Sequence, residues 1–253
     1  MNLTVIVPTY NEAGNVPLLA EALFSLPLPG LRILFIDDSS PDGTAQAVEQ
    51  VAAQYPRRVS LHVRKEKLGL GTAYITGFKL ALDAGADAIA QMDADFSHPP
   101  EKLVELAEAL ENCDVAIGSR YVEGGSLDER WPYWRKALSA FGNYYARTIL
   151  DLPYRDVTGG FRLWHRRAIE RMPLDSIRSN GYVFQVELAY LSKRLGFRVR
   201  EIPIHFADRR WGKSKMSLRI QLEAAIRVWI VRLTYRTLKP NPIITQPYPE
   251  RST

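Results

Sequence analysis

The first half of the chain alternates between short apolar runs and longer amphipathic ones. Runs of strand length occur at LTVIV (3–7), LRILFI (31–36), VSLHV (59–63), AIAQM (88–92) and DVAIGS (114–119). Between them lie segments with helical spacing, at 14–26, 43–55, 71–84 and 99–111, the last opened by Pro99 and Pro100 ahead of Glu101. Nearly continuous apolar strands alternating with helices predict an α/β fold. Its mainly parallel central sheet is covered by helices on both faces, with right-handed crossovers.

The second half is less regular. The spacing predicts a helix over 133–150, then a turn, a short strand and a helix in TGGFRLWHRRAIERM (158–172). YVFQVELAYLSKRLG (182–196) reads as a helix closed by Gly196, and FRVREIPIHFADR (197–209) alternates like a strand. RRWGKSKMS (209–217) reads as a basic loop, 218–239 as a helix, and the proline-rich 240–253 as a mobile tail.

A second pattern lies on the first. Each of the five strands is followed by a polar stretch: PTYNE (8–12), DDSSPDGT (37–44), RKEKLGLGTAY (64–74), DADFSHPP (93–100) and RYVEGG (120–125). In a parallel sheet these stretches share the carboxyl edge, where open α/β sheets bind ligands. The fourth contains Asp93 and Asp95. In an extended segment, positions i and i+2 point to the same side, so two like charges would face each other. A hard divalent cation, Mg²⁺ or Mn²⁺, removes that repulsion and accepts further oxygens from a substrate diphosphate. A solvated turn in which an Asp caps the next helix carries the same spacing. Placement among four other polar loops favours the metal.

Composition narrows the choice. A chain of 253 residues, 46% hydrophobic, suits one large α/β domain or a core domain with an appendage. A single cysteine, Cys113, excludes internal disulfides and suits a reducing compartment. The opening MNLTVIVPTY has no basic stretch before its apolar run and does not read as a signal peptide. No stretch of about 20 residues is free of charge, so no transmembrane helix is expected. GLGTAY (69–74) lacks a third glycine and follows the third strand, not the first, which argues against a dinucleotide fingerprint, and no Walker loop is present. His62, His98, His165 and His205 show no zinc spacing.

The net charge of +5 conceals an asymmetry. Residues 1–129 carry 9 Lys and Arg against 19 Asp and Glu, a balance of −10, and residues 130–253 carry 24 against 9, a balance of +15. A basic half of this size suits an anionic partner: nucleic acid, a membrane, or a phosphorylated substrate. Nucleic acid is not expected, because the acidic loops would repel its backbone.

Together PTYNE, DDSSPDGT, GLGTAY, MDADFSHPPE, GSRYVEGG, TGGFR, GYVFQVELAY and DRRWGKSKMS, in this order over residues 3–218, resemble the polyprenyl-phosphate mannose synthases. These are inverting glycosyltransferases of the GT-A fold. The resemblance implies transfer of mannose from GDP-mannose to a polyprenyl monophosphate, giving polyprenyl-phosphate-mannose and GDP. It implies that Pro8, Tyr10, Glu12 and Asp38 lie against the nucleoside, with Asp93 at the diphosphate. It gives Asp93, Asp95 and Ser97 to the metal, Mg²⁺ or Mn²⁺. It gives Arg120, Arg135, Arg209 and Lys215 to the acceptor phosphate, with Asp95, Arg120, Arg209 and Lys215 as the catalytic set. Arg162 is expected to orient its neighbours. Gln185 and Glu187 are expected to hold the sugar or the arginines, or else to be buried structural groups.

The implied acceptor is a phosphate, already ionised at neutral pH, so no strong general base is required. The difficulty is bringing one anion to another, which arginines, lysines and a metal relieve. Residues 1–217 form the expected catalytic domain. The helix 218–239 carries charges at 219, 223, 227, 232 and 236 in one broad stripe, four of the five being Arg. It suits a basic amphipathic helix on an anionic membrane surface, a helix packed on the domain with its charges in water, or a contact for a small membrane subunit. The expected location is the cytoplasmic face of a membrane, peripherally bound. A polyprenyl-phosphate glucosyl- or N-acetylhexosaminyltransferase using a UDP-sugar is the nearest alternative, and a non-catalytic module a remote one.

Overall fold

The computed structural model describes residues 1–208 and 218–239. The five apolar runs become β1 (Leu3–Thr9), β2 (Leu31–Asp37), β3 (Val59–Val63), β4 (Ala88–Gln91) and β5 (Val115–Ser119). Four further strands follow: β6 (Ser126–Leu127), β7 (Arg162–His165), β8 (Val199–Pro203) and β9 (His205–Phe206). The helices are α1 (Val16–Phe24), α2 (Thr44–Gln54), α3 (Leu70–Asp83), α4 (Lys102–Ala109), α5 (Tyr133–Leu150), α6 (Arg166–Arg171), α7 (Gly181–Leu195) and α8 (Leu218–Tyr235).

Seven strands form one sheet in the order β3-β2-β1-β4-β7-β5-β8. β1 pairs in parallel with β2 and β4, β2 with β3, and β5 with β8. β7 is antiparallel to both neighbours, β4 and β5. All the other strands of the sheet therefore run one way. From β1 the chain moves outward to β2 and β3, then returns to place β4 on the other side of β1. That reversal opens a crevice between the carboxyl ends of β1 and β4, where ligands bind in such sheets.

Alternation along the strands divides the core in two. Ile6, Ile36, Ile89 and Trp164 pack with Tyr74, Phe78 and Phe184 on the face covered by α3, α6 and α7. Val5, Val7, Ile33 and Phe35 pack with Leu19, Leu23, Val48 and Leu103 on the face covered by α1, α2 and α4. Helix α3 lies so close to β1 that a Cβ at Gly77 would stand 2.5 Å from Cγ2 of Ile6. Only glycine fits there.

The structure departs from the sequence reading in three places. The run 197–209 is not one strand. Pro203 has no N–H to continue a ladder; the Ile204 N–H still donates to the Ser119 carbonyl at 3.0 Å, and beyond it the chain leaves β5. β9 then pairs in parallel with β6, His205 opposite Ser126 and Phe206 opposite Leu127. The prolines before α4 form a lead-in turn and not the first helical residues: the carbonyls of Pro99 and Pro100 accept from the N–H groups of Lys102 and Leu103, at 3.1 and 3.0 Å. β4 ends at Gln91, one residue early, which places Asp93 and Asp95 in a turn. For α8, where the sequence left several placements open, the structure shows one face packed on the domain: Val228, Val231 and Tyr235 enter the same core as α5 and α7. Among the described residues no helix is long and apolar enough to cross a membrane.

Candidate active site

The loops at the ends of β1 and β2 are tied to each other. Asp37 is fully buried and accepts from Thr9 Oγ1 (2.9 Å) and from the N–H and Oγ of Ser40 (2.9 and 2.6 Å). Asn11 N–H donates to Ser40 Oγ (3.0 Å), Glu12 N–H to Thr44 Oγ1 (2.9 Å) and Ala13 N–H to Asp42 (3.1 Å). Pro8 lies within β1. Lys67 Nζ sits 3.2 Å from the centroid of the Tyr10 ring, and Glu12 accepts from Asn15 Nδ2 at 2.6 Å. Asp38 forms a buried ion pair with Arg64, which also donates to Thr72 Oγ1 (2.7 Å) and the carbonyl of Gly69 (3.0 Å). Four of the expected nucleoside residues, Pro8, Tyr10, Glu12 and Asp38, thus sit on one rim, and Arg64 adds a cation there.

The carboxylate pair follows β4. It is not held on one side by an extended backbone, as the spacing alone suggested. It lies in a turn that Phe96 completes in the left-handed region, at φ 61°. Each carboxylate is held differently. Asp95 is buried, and its Oδ1 accepts from both the N–H and the Oγ of Ser97, at 3.0 and 2.6 Å. The Ser97 hydroxyl therefore gives its hydrogen to Asp95 and keeps its oxygen lone pairs. Asp93 Oδ1 accepts from the Tyr74 hydroxyl at 3.3 Å, and its N–H donates to His98 Nδ1 at 3.0 Å. That bond requires an unprotonated Nδ1, and burial lowers the His98 pKa in the same sense. The His98 ring stacks on Phe161 with centroids 5.3 Å apart.

No group of three His, Cys, Asp or Glu side chains suited to a metal occurs among the described residues. Two hard carboxylates at a sheet's carboxyl edge nevertheless fit Mg²⁺ or Mn²⁺, because such ions complete their shell with substrate phosphates and water.

The expected arginines divide. Arg120, at the end of β5, is buried against Asp156: Nε donates to Oδ2 (2.7 Å) and Nη2 to Oδ1 (2.8 Å). Burial alone would raise the Asp156 pKa, but Arg120 overrides it and holds the carboxylate below its ordinary range. Arg162, in β7, is fully enclosed and donates to the carbonyls of Gly159 and Val157, both at 3.0 Å. Burial pushes its guanidinium down to about 10. Arg135 pairs with Asp208 (3.2 Å) and lies 3.6 Å from the Trp131 ring centroid. Arg209 and Lys215 lie outside the described residues. Gln185 is buried close to Gly160 and His98. Glu187 accepts from Ser179 N–H (3.0 Å) and the Tyr235 hydroxyl (2.7 Å), so it joins α7 to α8.

Residues 4–172 match the family model described as glycosyl transferase family 2. The chain belongs to this family. It is 42% identical over 231 residues to the polyprenol monophosphomannose synthase of Mycolicibacterium smegmatis, covering 90% of this chain and 86% of that protein. It is 43% identical over 228 residues to the undecaprenyl-phosphate mannosyltransferase of Micrococcus luteus, covering 90% and 93%. Among solved structures, it is similar to a mannosyltransferase from Pyrobaculum calidifontis in complex with GDP-Man and Mn²⁺ (TM-score 0.59, 18% identity, 95% of this chain, 66% of that one). It is also similar to glucosyl-3-phosphoglycerate synthase from Mycobacterium tuberculosis with Mg²⁺ and UDP (TM-score 0.63, 16% identity, 95% and 81%). At those identities the structures show the fold alone, which is GT-A.

Within this family frame, the sequence reading missed Arg64, Tyr74, His98 and Asp156 as parts of the site. Arg64 follows β3 directly and Asp156 stands two residues before TGGFR, so both had a positional signal. Tyr74 and His98 had none beyond lying in the polar loops themselves.

Proposed function

We propose that this chain transfers mannose from GDP-mannose to a polyprenyl monophosphate, releasing GDP, with inversion at the anomeric carbon. The observation that carries the reading is the carboxylate turn after β4 at the switch point of the sheet, with β1 between it and the nucleoside rim of Asp38, after β2, and Arg64, after β3. Similarity over 90% of the chain to two relatives named for mannosyl transfer to a polyprenyl phosphate supports the choice of sugar and lipid. Pro8, Tyr10, Glu12 and Asp38 bind the nucleoside. Asp93 and Asp95 hold Mg²⁺ or Mn²⁺, which when bound supplies neutralising charge to the diphosphate. Ser97 fixes Asp95, and His98 and Tyr74 fix Asp93.

A phosphate oxygen of the acceptor attacks the anomeric carbon from the face opposite the diphosphate. A new carbon–oxygen bond forms, the bond to the β-phosphate oxygen breaks, and the electron pair leaves with GDP. No proton has to be removed from the nucleophile. Arg120, Arg135, Arg209 and Lys215 offset the repulsion between the two anions. The lipid tail requires a membrane surface, and the enzyme binds it peripherally on the cytoplasmic face. Support comes from exposed Leu222, Ile226, Trp229, Ile230 and Leu233 on α8 and Trp134, Phe141 and Tyr144 on α5. A small membrane subunit remains an alternative cover for the same surface.

The test supplies polyprenyl phosphate with labelled GDP-mannose, UDP-glucose or UDP-N-acetylglucosamine in parallel. Labelled lipid is expected from GDP-mannose alone. Labelled lipid from a UDP-sugar and none from GDP-mannose would replace this reading with its sibling.

A further inference from the structure

We propose that Asp156 is a positioning residue for the acceptor phosphate, acting through Arg120. The inference rests on the reading above that Arg120 meets that phosphate.

An arginine side chain is long and rotates freely, so a guanidinium that must meet a moving lipid phosphate gains from being held in advance. Arg120 is held along one edge. Nε and Nη2 form a fork with the two oxygens of Asp156, and Nη2 also donates to Thr158 Oγ1 at 2.7 Å. The Arg120 backbone N–H donates to Asp156 Oδ2 at 3.0 Å, so one carboxylate fixes both ends of the residue. The Tyr121 and Phe206 rings lie 5.3 and 5.2 Å from its guanidinium carbon. The fork fixes the group in its plane, and the rings flank it. The two hydrogens of Nη1 make no hydrogen bond among the described residues, so the unspent edge is the one an anion would meet.

Asp156 is itself immobilised. It is fully buried, and its Oδ1 accepts from Gly159 N–H at 2.9 Å. The N–H groups of Arg155 and Asp156 donate to Glu201 on β8, at 2.7 and 2.8 Å. β8 is the parallel neighbour of β5, the strand that delivers Arg120. The loop before β7 is thus anchored to the sheet on one side and grips Arg120 on the other. A fully buried ion pair is weak support for stability, because desolvating the charges offsets most of their attraction. An oriented donor edge gives the pair a reason beyond stability.

The test is a double-mutant cycle in acceptor kinetics, with GDP affinity measured alongside. Asp156→Asn removes one acceptor of the fork and is expected to raise the KM for polyprenyl phosphate about tenfold or more, with GDP affinity within about threefold of the parent. In an Arg120→Gln background the same change is expected to add nothing to the acceptor defect, since coupled residues are not additive. A further tenfold loss in that background would overturn the inference, because Asp156 would then act without Arg120. So would an unchanged KM in Asp156→Asn. Arg120→Gln with normal acceptor use removes the underlying reading, and the inference with it. Should Asp156→Asn fail to fold, Arg120→Lys decides. It keeps the charge and loses the fork, so its acceptor defect should approach that of Arg120→Gln. Parental activity in the lysine variant would mean that charge suffices and orientation does not matter.

Discussion

Asp93 and Asp95 differ in what holds them, and that difference orders the effects of mutation. Asp95 takes two hydrogen bonds from Ser97 on Oδ1, which orient the carboxylate that the proposed function gives to the cation. Asp95→Ala is therefore expected to lose at least about 10²-fold in transfer, the scale of one lost electrostatic element. Excess chelator should abolish transfer, and added Mg²⁺ or Mn²⁺ should restore it. Full activity in chelator would sink the metal assignment. Ser97→Ala removes one bond to a charged group, worth about 1.5–3 kcal/mol at most, while the Ser97 N–H still holds Asp95. Its loss should be smaller and should shrink as metal concentration rises; a defect as deep as that of Asp95→Ala, insensitive to metal, would instead make Ser97 an indispensable ligand. Cys113 offers an independent check on burial. Its thiol donates to the Ala109 carbonyl at 3.1 Å, and desolvation pushes its pKa up to about 11. A thiol reagent at neutral pH is expected to label it only in denaturant, and fast native labelling would show that the α4–β5 corner opens. At this scale the sequence was readable where chemistry is local. Asp-x-Asp lies within one loop, but Arg120 and Asp156 are 36 positions apart and meet only through the sheet.

The strands and helices that could be read beforehand are those whose apolar pattern is long. β1, β2 and β3 and the helix 133–150 fall where periodicity put them. β7 was foreseen as a short strand, but not its place. Its four residues, Arg-Leu-Trp-His, carry no mark of an antiparallel central strand, and a fully buried Arg162 contradicts the usual composition of one. What inserts it there is the preceding loop, anchored by Asp156 and Glu201, which turns the chain back between β4 and β5. Helix α8 poses a different problem: its sequence suited a membrane surface, a packed helix or a subunit contact alike, and the structure shows Tyr235 reaching into the core. The Tyr235 hydroxyl lies 2.7 Å from Glu187 Oε1 and 3.1 Å from the Ser176 carbonyl, and its single hydrogen goes to the nearer, charged acceptor. Tyr235→Phe leaves Glu187 short of one partner and should destabilise the fold by about 1.5–3 kcal/mol. For a chain of this size that corresponds to roughly 3–12 °C in Tm. Transfer assayed well below Tm should stay near parental. An unchanged Tm with impaired donor binding would instead assign Glu187 to the sugar.

The whole molecule presents two chemistries on different surfaces. The carboxyl edge of the sheet carries the acidic donor rim, and the basic second half contributes α5 and α8, which touch through Trp229 Nε1 donating to the Tyr145 hydroxyl at 2.9 Å. On α8 the buried positions 228, 231 and 235 form one stripe, and the exposed apolar positions 222, 226, 229, 230 and 233 form the opposite one. Glu223 and Arg227 flank that free stripe on one side and Arg232 on the other. A helix that served only to close the core would place polar groups there. A membrane surface accounts for both the apolar stripe and its basic margin. Because Leu222, Ile226 and Leu233 are more than half exposed, changing all three to Gln removes no core contact. The triple variant should therefore keep its Tm and its GDP affinity. Its partition to anionic vesicles should fall at least about tenfold, since each fully inserted Leu or Ile is worth about 1.5–3 kcal/mol. Raised salt should release the parent by screening the arginines, each worth on the order of 1 kcal/mol near an anionic surface. Trp229 fluorescence should shift to the blue with vesicles in the parent and not in the triple variant. Parental vesicle binding by a folded triple variant would leave the free face of α8 to a protein partner and refute the membrane assignment.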